Sequence, residues 1–175
     1  MKYLRLILLL SILLSGCRKT YMISPEQKIM FQVDITACET EFQHYGYYID
    51  SKGNILSYSN PVNWNYCDRN SIVTTEQVEE NLRMCTSSGK VLQSELIKFS
   101  SYIDNIASSR VTSLSGGDEK FSVKYTCFRY SGVDHSYKSY TIKTEGDYSA
   151  ENLNFYTKKM VTWLKEIDMN LAIRN

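Results

Sequence analysis

The chain reads as an α+β domain in which an antiparallel sheet of about four strands packs against two to three helices, in the order ββ-αα-ββ-α. Three observations predict this. Two aromatic, β-branched arms flank a turn at Asp50-Ser51-Lys52-Gly53-Asn54. A strictly alternating run, Phe121-Ser122-Val123-Lys124-Tyr125, is answered by Tyr137–Lys143 after a turn at Ser131–His135. Between and after these pairs lie stretches with apolar residues at helical spacing. Strands in runs, separated by helices in runs, favour this class over a wound parallel sheet.

Taken in order, Ile29–Ile35 alternates as a strand with Phe31, Val33 and Ile35 on one face, and it is expected to continue towards Phe42. The hairpin arms are Tyr45–Ile49 and Ile55–Tyr58, with Gly53 supplying the positive φ of the turn. Asn60–Ser71, which holds Pro61, Trp64 and Cys67, reads as a polar loop. Thr74 and Gln77 form a capping-box pattern that opens a helix to about Met84, ended by Ser87-Ser88-Gly89. Leu92, Leu96, Phe99, Ile103 and Ile106 make the apolar stripe of a second helix. Ser108–Lys120 is a loop. Ser149 is placed to cap a last helix, with Leu153, Tyr156, Met160, Trp163, Leu164, Ile167 and Leu171 on one side.

The first 17 residues have a different character. Lys2 and Arg5 precede an apolar run, Leu6–Leu14, broken only by Ser11, and Leu14-Ser15-Gly16 leads into Cys17. This is the layout of a cleaved export signal, and the run is too short for the roughly 20 apolar residues of a membrane span. Its ending resembles the lipobox of bacterial lipoproteins, which implies diacylation of Cys17 and cleavage just before it. The alternative is a plain secretory signal, which needs no cysteine at that place. The expected organisation is therefore a signal peptide over 1–16, a lipid-anchored tether over 17–28 and one domain over 29–175. The expected location is the bacterial cell envelope, on the periplasmic or surface side of a membrane.

Removing residues 1–16 takes Lys2 and Arg5 away and leaves 159 residues with 18 basic and 19 acidic side chains, a net charge of −1. That length supports one domain with a core, and near-neutrality argues against a nucleic-acid partner, which selects a basic excess. Four cysteines remain, Cys38, Cys67, Cys85 and Cys127. An even number in an oxidising compartment points to two disulfides, of which Cys67–Cys85 and Cys38–Cys127 are the preferred pairing of three possible ones. No CxxC spacing is present, so neither a thiol-redox nor a zinc site is indicated.

Gly46-Tyr47-Tyr48-Ile49-Asp50 with Gly53-Asn54-Ile55 and Ser57-Tyr58, together with Glu145-Gly146-Asp147-Tyr148 and Trp163-Leu164 in the last helix, resembles blocks found in uncharacterised bacterial envelope lipoproteins. The resemblance implies a lipid-anchored domain of unknown activity and carries no catalytic residues, and the extra cysteines depart from it.

Chemistry-bearing motifs are sparse. HExxH and GxSxG are missing, and Ser88-Gly89-Lys90 lacks the upstream glycine of a phosphate loop, so it reads as a turn between helices. No cofactor, metal site or catalytic residue is assigned. His44 and His135 are the histidines, both near strand ends; an envelope hydrolase predicts one of them beside an acid in a cleft. Tyr45, Tyr47, Tyr48, Tyr58 and Trp64 gather around the first hairpin and form the candidate binding surface, for stacking on sugar rings or anchoring a protein. Sheet packing explains the same tyrosines without a ligand. The favoured reading is a noncatalytic module for a protein or glycan partner. The alternatives are the hydrolase, and an inhibitor or immunity-type protein acting through a protruding, disulfide-braced loop at Asn60–Ser71.

Overall fold

The computed structural model describes residues 23–38, 40–113, 115–117 and 120–174, the side chains through 169; the signal, Cys17 and the tether as far as residue 22 lie outside them. Its strands are β1 (Ile29–Cys38), β2 (Phe42–Asp50), β3 (Asn54–Ser59), β4 (Ile72–Thr74), β5 (Thr86–Lys90), β6 (Ser115–Gly116), β7 (Phe121–Ser131), β8 (Ser136–Gly146) and β9 (Tyr148–Glu151). The helices are α1 (Thr75–Arg83), α2 (Gln93–Ser100), the single-turn α3 (Ile103–Ala107) and α4 (Thr157–Arg174).

The expected four-strand α+β layout is wrong. The described residues form one nine-stranded antiparallel sheet in the order β5-β3-β2-β1-β7-β8-β9-β6, with β4 paired to β8, and the fold is mostly β. The missed strands share a physical cause: they are short and polar. β5 is Thr-Ser-Ser-Gly-Lys, read as a helix stop, yet it pairs with β3 through Asn54↔Lys90 and Ser57↔Thr86. β9 contains Ser149, which therefore caps no helix, and α4 starts only at Thr157. Such strands lie towards sheet edges, where ladder hydrogen bonds rather than buried side chains hold them, and polar residues blunt an edge against aggregation.

Elsewhere the local signals correspond to the structure. The first hairpin pairs Tyr45↔Ser59 to Ile49↔Ile55, with Gly53 at φ +82°. Thr74 Oγ1 accepts from the Gln77 amide while the Gln77 side chain accepts from the Thr74 amide, closing the capping box. The expected second helix is broken between α2 and α3, but Leu96, Phe99, Ile103 and Ile106 are all buried along it; Leu92 stands exposed just ahead of α2.

β1 sits in the interior of the sheet between β2 and β7, so its alternation sorts two layers. Phe31, Val33 and Ile35 face α2, α3 and α4, forming a core with Tyr47, Ile49, Leu96, Phe99, Trp163 and Leu164. Each fully buried side chain of this size contributes about 1.5–3 kcal/mol. The opposite face is covered only in part, by α1 and by the 60–71 loop, over a smaller cluster of Ile29, Tyr48, Tyr58, Val73, Val78, Phe128 and Tyr137. The segment before β1 belongs to the fold: Ile23 packs on the helix-side core, and the buried Gln27 amide donates to the Phe128 carbonyl at 2.9 Å.

Neither expected disulfide is formed; Cys38, Cys67, Cys85 and Cys127 are free. Register excludes Cys38–Cys127 outright. Cys127 pairs with Phe31, seven residues along β1 from Cys38, about 23 Å at strand rise, whereas a bridge needs Cα atoms within about 7 Å. Cys67 and Cys85 both pack on the smaller cluster. Cys85 donates its thiol to the Asn81 carbonyl at 3.3 Å, and burial pushes its pKa up to about 12, so it is a packing residue rather than a nucleophile.

Candidate functional site

The site grows from the polar half of β1. Residues alternating with Phe31, Val33 and Ile35 are Gln32 and Asp34, and they point to the partly covered face. Register places Thr126 beside Gln32 and Lys124 beside Asp34 on β7, and Thr141 and Thr144 opposite these on β8. The result is a polar floor running across three strands.

Asp34 is held by groups from both neighbours on its other side. His44 of β2 sets Nε2 at 2.7 Å from Asp34 Oδ1, and Tyr58 of β3 donates its hydroxyl to the same oxygen at 2.5 Å. Gln32 Nε2 donates to Tyr58 Oη at 2.9 Å. The approach needs a glycine at position 46: a Cβ there lies 2.1 Å from the Val33 carbonyl and 2.8 Å from Tyr58 Oη. Burial, then the charge of Asp34, pushes the Tyr58 phenol well above its ordinary range, so it stays a hydrogen-bond donor.

The 60–71 loop roofs one end. Asn60 opens it with a left-handed φ of +45°, exchanging hydrogen bonds with His44: its amide donates to the His44 carbonyl and its Oδ1 accepts from the His44 amide. Trp64 then packs over Tyr58, Tyr48 and His44 at centroid distances of 4.2, 5.7 and 5.3 Å. Asn81 of α1 clamps the loop: Asn65 N donates to Asn81 Oδ1 at 2.9 Å and Asn81 Nδ2 donates to the Asn65 carbonyl at 2.8 Å. Tyr66 follows with its ring 5.5 Å from His44, its hydroxyl 3.4 Å from His44 Nδ1, and 56% of its surface in solvent.

Between roof and floor is a cavity of about 200 Å³ bounded by Gln32, Asp34, Trp64, Tyr66, Lys124 and Thr126, among others. A second hollow of about 360 Å³ continues over Lys124, Thr141, Thr144 and Tyr148. Lys124 lines both, so the two hollows adjoin at this side chain along a trough over the sheet.

The expected aromatic platform is thereby corrected. Tyr47, Tyr48 and Tyr58 are at most 4% exposed and are packing residues; Tyr47 donates its hydroxyl to the Leu164 carbonyl on the helix side. Tyr45 is exposed but on the face opposite His44, away from the trough. Of the expected residues Trp64 alone lines the trough at a partly exposed position, and Tyr66, Asp34, Gln32 and Lys124 are the ones missed. His135 lies exposed in the β7–β8 turn with its Nδ1 3.2 Å from Tyr130 Oη and forms no ion pair with a described acid. The 60–71 loop lies against the sheet instead of protruding, and no disulfide braces it.

Comparison with protein-family models, curated proteins and solved structures finds no match.

Proposed function

We propose that this chain is a lipid-anchored protein of the bacterial cell envelope whose domain is a noncatalytic binding module, and that its trough takes a glycan. One observation carries the glycan reading: a preformed polar trough on a rigid sheet, flanked by the half-exposed ring of Tyr66. Sugars offer many hydroxyls and one apolar ring face. Asp34 offers an oriented acceptor, Gln32 and Asn65 offer amides, and Lys124 a cation, while Tyr66 supplies a surface for the ring face. The cavity under the loop is smaller than the roughly 300–1,000 Å³ of a site for drug-sized ligands, which suits one sugar unit with the chain continuing over Lys124. The lipid anchor rests on the resemblance of Leu14-Ser15-Gly16-Cys17 to a lipobox.

The His44–Asp34 pair has the connectivity of a base and its orienting acid, which is the observation that favours a hydrolase. Two features count against it. His44 is 3% exposed with both ring nitrogens against protein groups, and the group at its open end is the Tyr66 phenol. Burial, then Asp34, raises that phenol above its ordinary range, the reverse of an activated nucleophile.

The test is an array of envelope and host-type oligosaccharides probed with the purified protein. The reading predicts retention of a defined saccharide class, released by the free sugar without hydrolysis. Release of cleaved product supports the hydrolase, and retention of none removes the glycan reading.

A further inference from the structure

The helix-covered side carries a second groove, between α2 and α4, of about 470 Å³ and lined by Lys98, Phe99, Phe155, Lys158, Lys159 and Trp163, among others. Phe155 is 80% exposed and its neighbour Leu153 67%, two large apolar side chains held out in water just ahead of α4. Lys98, Lys158 and Lys159 line the groove with Phe155 and one acid, Glu166, and none of the three lysines is in an ion pair with a described residue. Lys159 Nζ lies 5.2 Å above the Phe155 ring. Lys158 and Lys159 also sit in the first turn of α4, which has no acidic residue, although a helix N-terminus favours anions and is made worse by cations. The arrangement spends local electrostatic stability to concentrate positive charge around an apolar tip.

We infer that this groove docks on the anionic headgroups of the bilayer that holds the lipid anchor, with Phe155 entering the interface. The inference rests on the proposed acylation of Cys17. Ile23 packs on the helix-side core, and only five residues lie between it and Cys17. At full extension that span reaches about 20 Å, so an anchored domain is kept close to the membrane and its chain enters on the helix side. Basic side chains near an anionic surface each add favourable attraction, and an apolar side chain set among them buries at the boundary between headgroups and acyl chains. Docking by this face turns the opposite face of the sheet, with its trough, away from the bilayer.

The experiment is hydrogen–deuterium exchange of the full chain purified from membranes, inserted into vesicles of phosphatidylglycerol with phosphatidylcholine or of phosphatidylcholine alone. Intact mass reports acylation separately. Docking predicts exchange at 153–163 slower by on the order of tenfold in the anionic vesicles, and loss of that protection in a Lys98→Glu, Lys158→Glu, Lys159→Glu chain whose melting is unchanged. Equal exchange in both vesicles overturns the inference, as does protection seen only with an acidic protein from the cell extract. If the mass shows no acyl groups, the anchor reading fails, and the same comparison at saturating lipid still reads the surface by itself.

Discussion

His44 Nε2 lies 2.7 Å from Asp34 Oδ1, joining adjacent strands β1 and β2 on the face opposite the main core. Because Tyr58 donates to the same oxygen, one carboxylate satisfies two buried groups and is itself aimed into the trough. Removing it takes the shortest hydrogen-bond partner from both, leaving Tyr58 with Gln32 and the distant Val33 carbonyl and His44 with the Tyr66 hydroxyl at 3.4 Å. Asp34→Ala is expected to cost about 1–3 kcal/mol in urea unfolding, whereas Asp34→Asn, which keeps an acceptor, costs less. Equal losses in the two would show that volume, not hydrogen bonding, matters at this position.

Tyr66 is half in solvent and carries the aromatic wall. Tyr66→Ala is expected to leave the melting temperature within experimental scatter and to weaken saccharide binding about tenfold, while Tyr66→Phe retains most of it. Calorimetric titration of the two variants checks this.

Gly46→Ala is expected to destabilise by about 1–3 kcal/mol or more, since the new methyl meets backbone oxygen as well as Tyr58. The accompanying sign is a change in Trp64 fluorescence, because Trp64 packs 4.2 Å from the displaced ring. Unchanged emission with lower stability would place the strain elsewhere.

Asn81 ties the loop to α1 through both polar atoms of its amide. Asn81→Ala is expected to speed hydrogen exchange across residues 61–70 and to cost about 1–3 kcal/mol, as a buried network loses its donor and acceptor together. Exchange confined to α1 would mean the loop is held by Trp64 packing alone.

Glu145 bridges Lys143 and Lys165, joining β8 to α4. Burial works to raise its pKa, but hydrogen bonds from Lys165 and then Lys143 outweigh it, leaving the carboxyl below its ordinary 4.5. A folded value below the unfolded one means the contribution is complete above about pH 4.5 and is lost as pH falls through the folded value. Glu145→Gln is therefore expected to lower stability by up to about 1 kcal/mol at pH 7 and by progressively less as the pH falls below about 4.5. Thermal melts of both proteins across that range check the sign.

Both hairpins, the capping box at Thr74 and the apolar face of β1 were legible because each is a local pattern with a local cause. Leu96, Phe99, Ile103 and Ile106 were legible as one stripe even though the helix breaks under it. The edge strands were not: Thr86–Lys90 has no apolar alternation, and only the ladder to β3 makes it a strand. The site was half legible. Gln32 and Asp34 alternate with the apolar residues of β1, a visible signal that a polar face exists, but bringing His44, Tyr58 and Lys124 to Asp34 takes the registers of three other strands, β2, β3 and β7. Clustering in sequence also misplaced the tyrosines, because strand alternation sends Tyr47 to the helix-side core and Tyr48 to the other face.

The most direct test of the glycan-binding reading is nuclear magnetic resonance titration of the isotopically labelled protein with the saccharide class retained on the array. The account predicts shifts concentrated at Gln32, Asp34, Asn65, Tyr66, Lys124 and Thr126, with the helix-side amides of α2 and α4 unmoved. Shifts centred on α2 and α4, or spread over no contiguous surface, would contradict it.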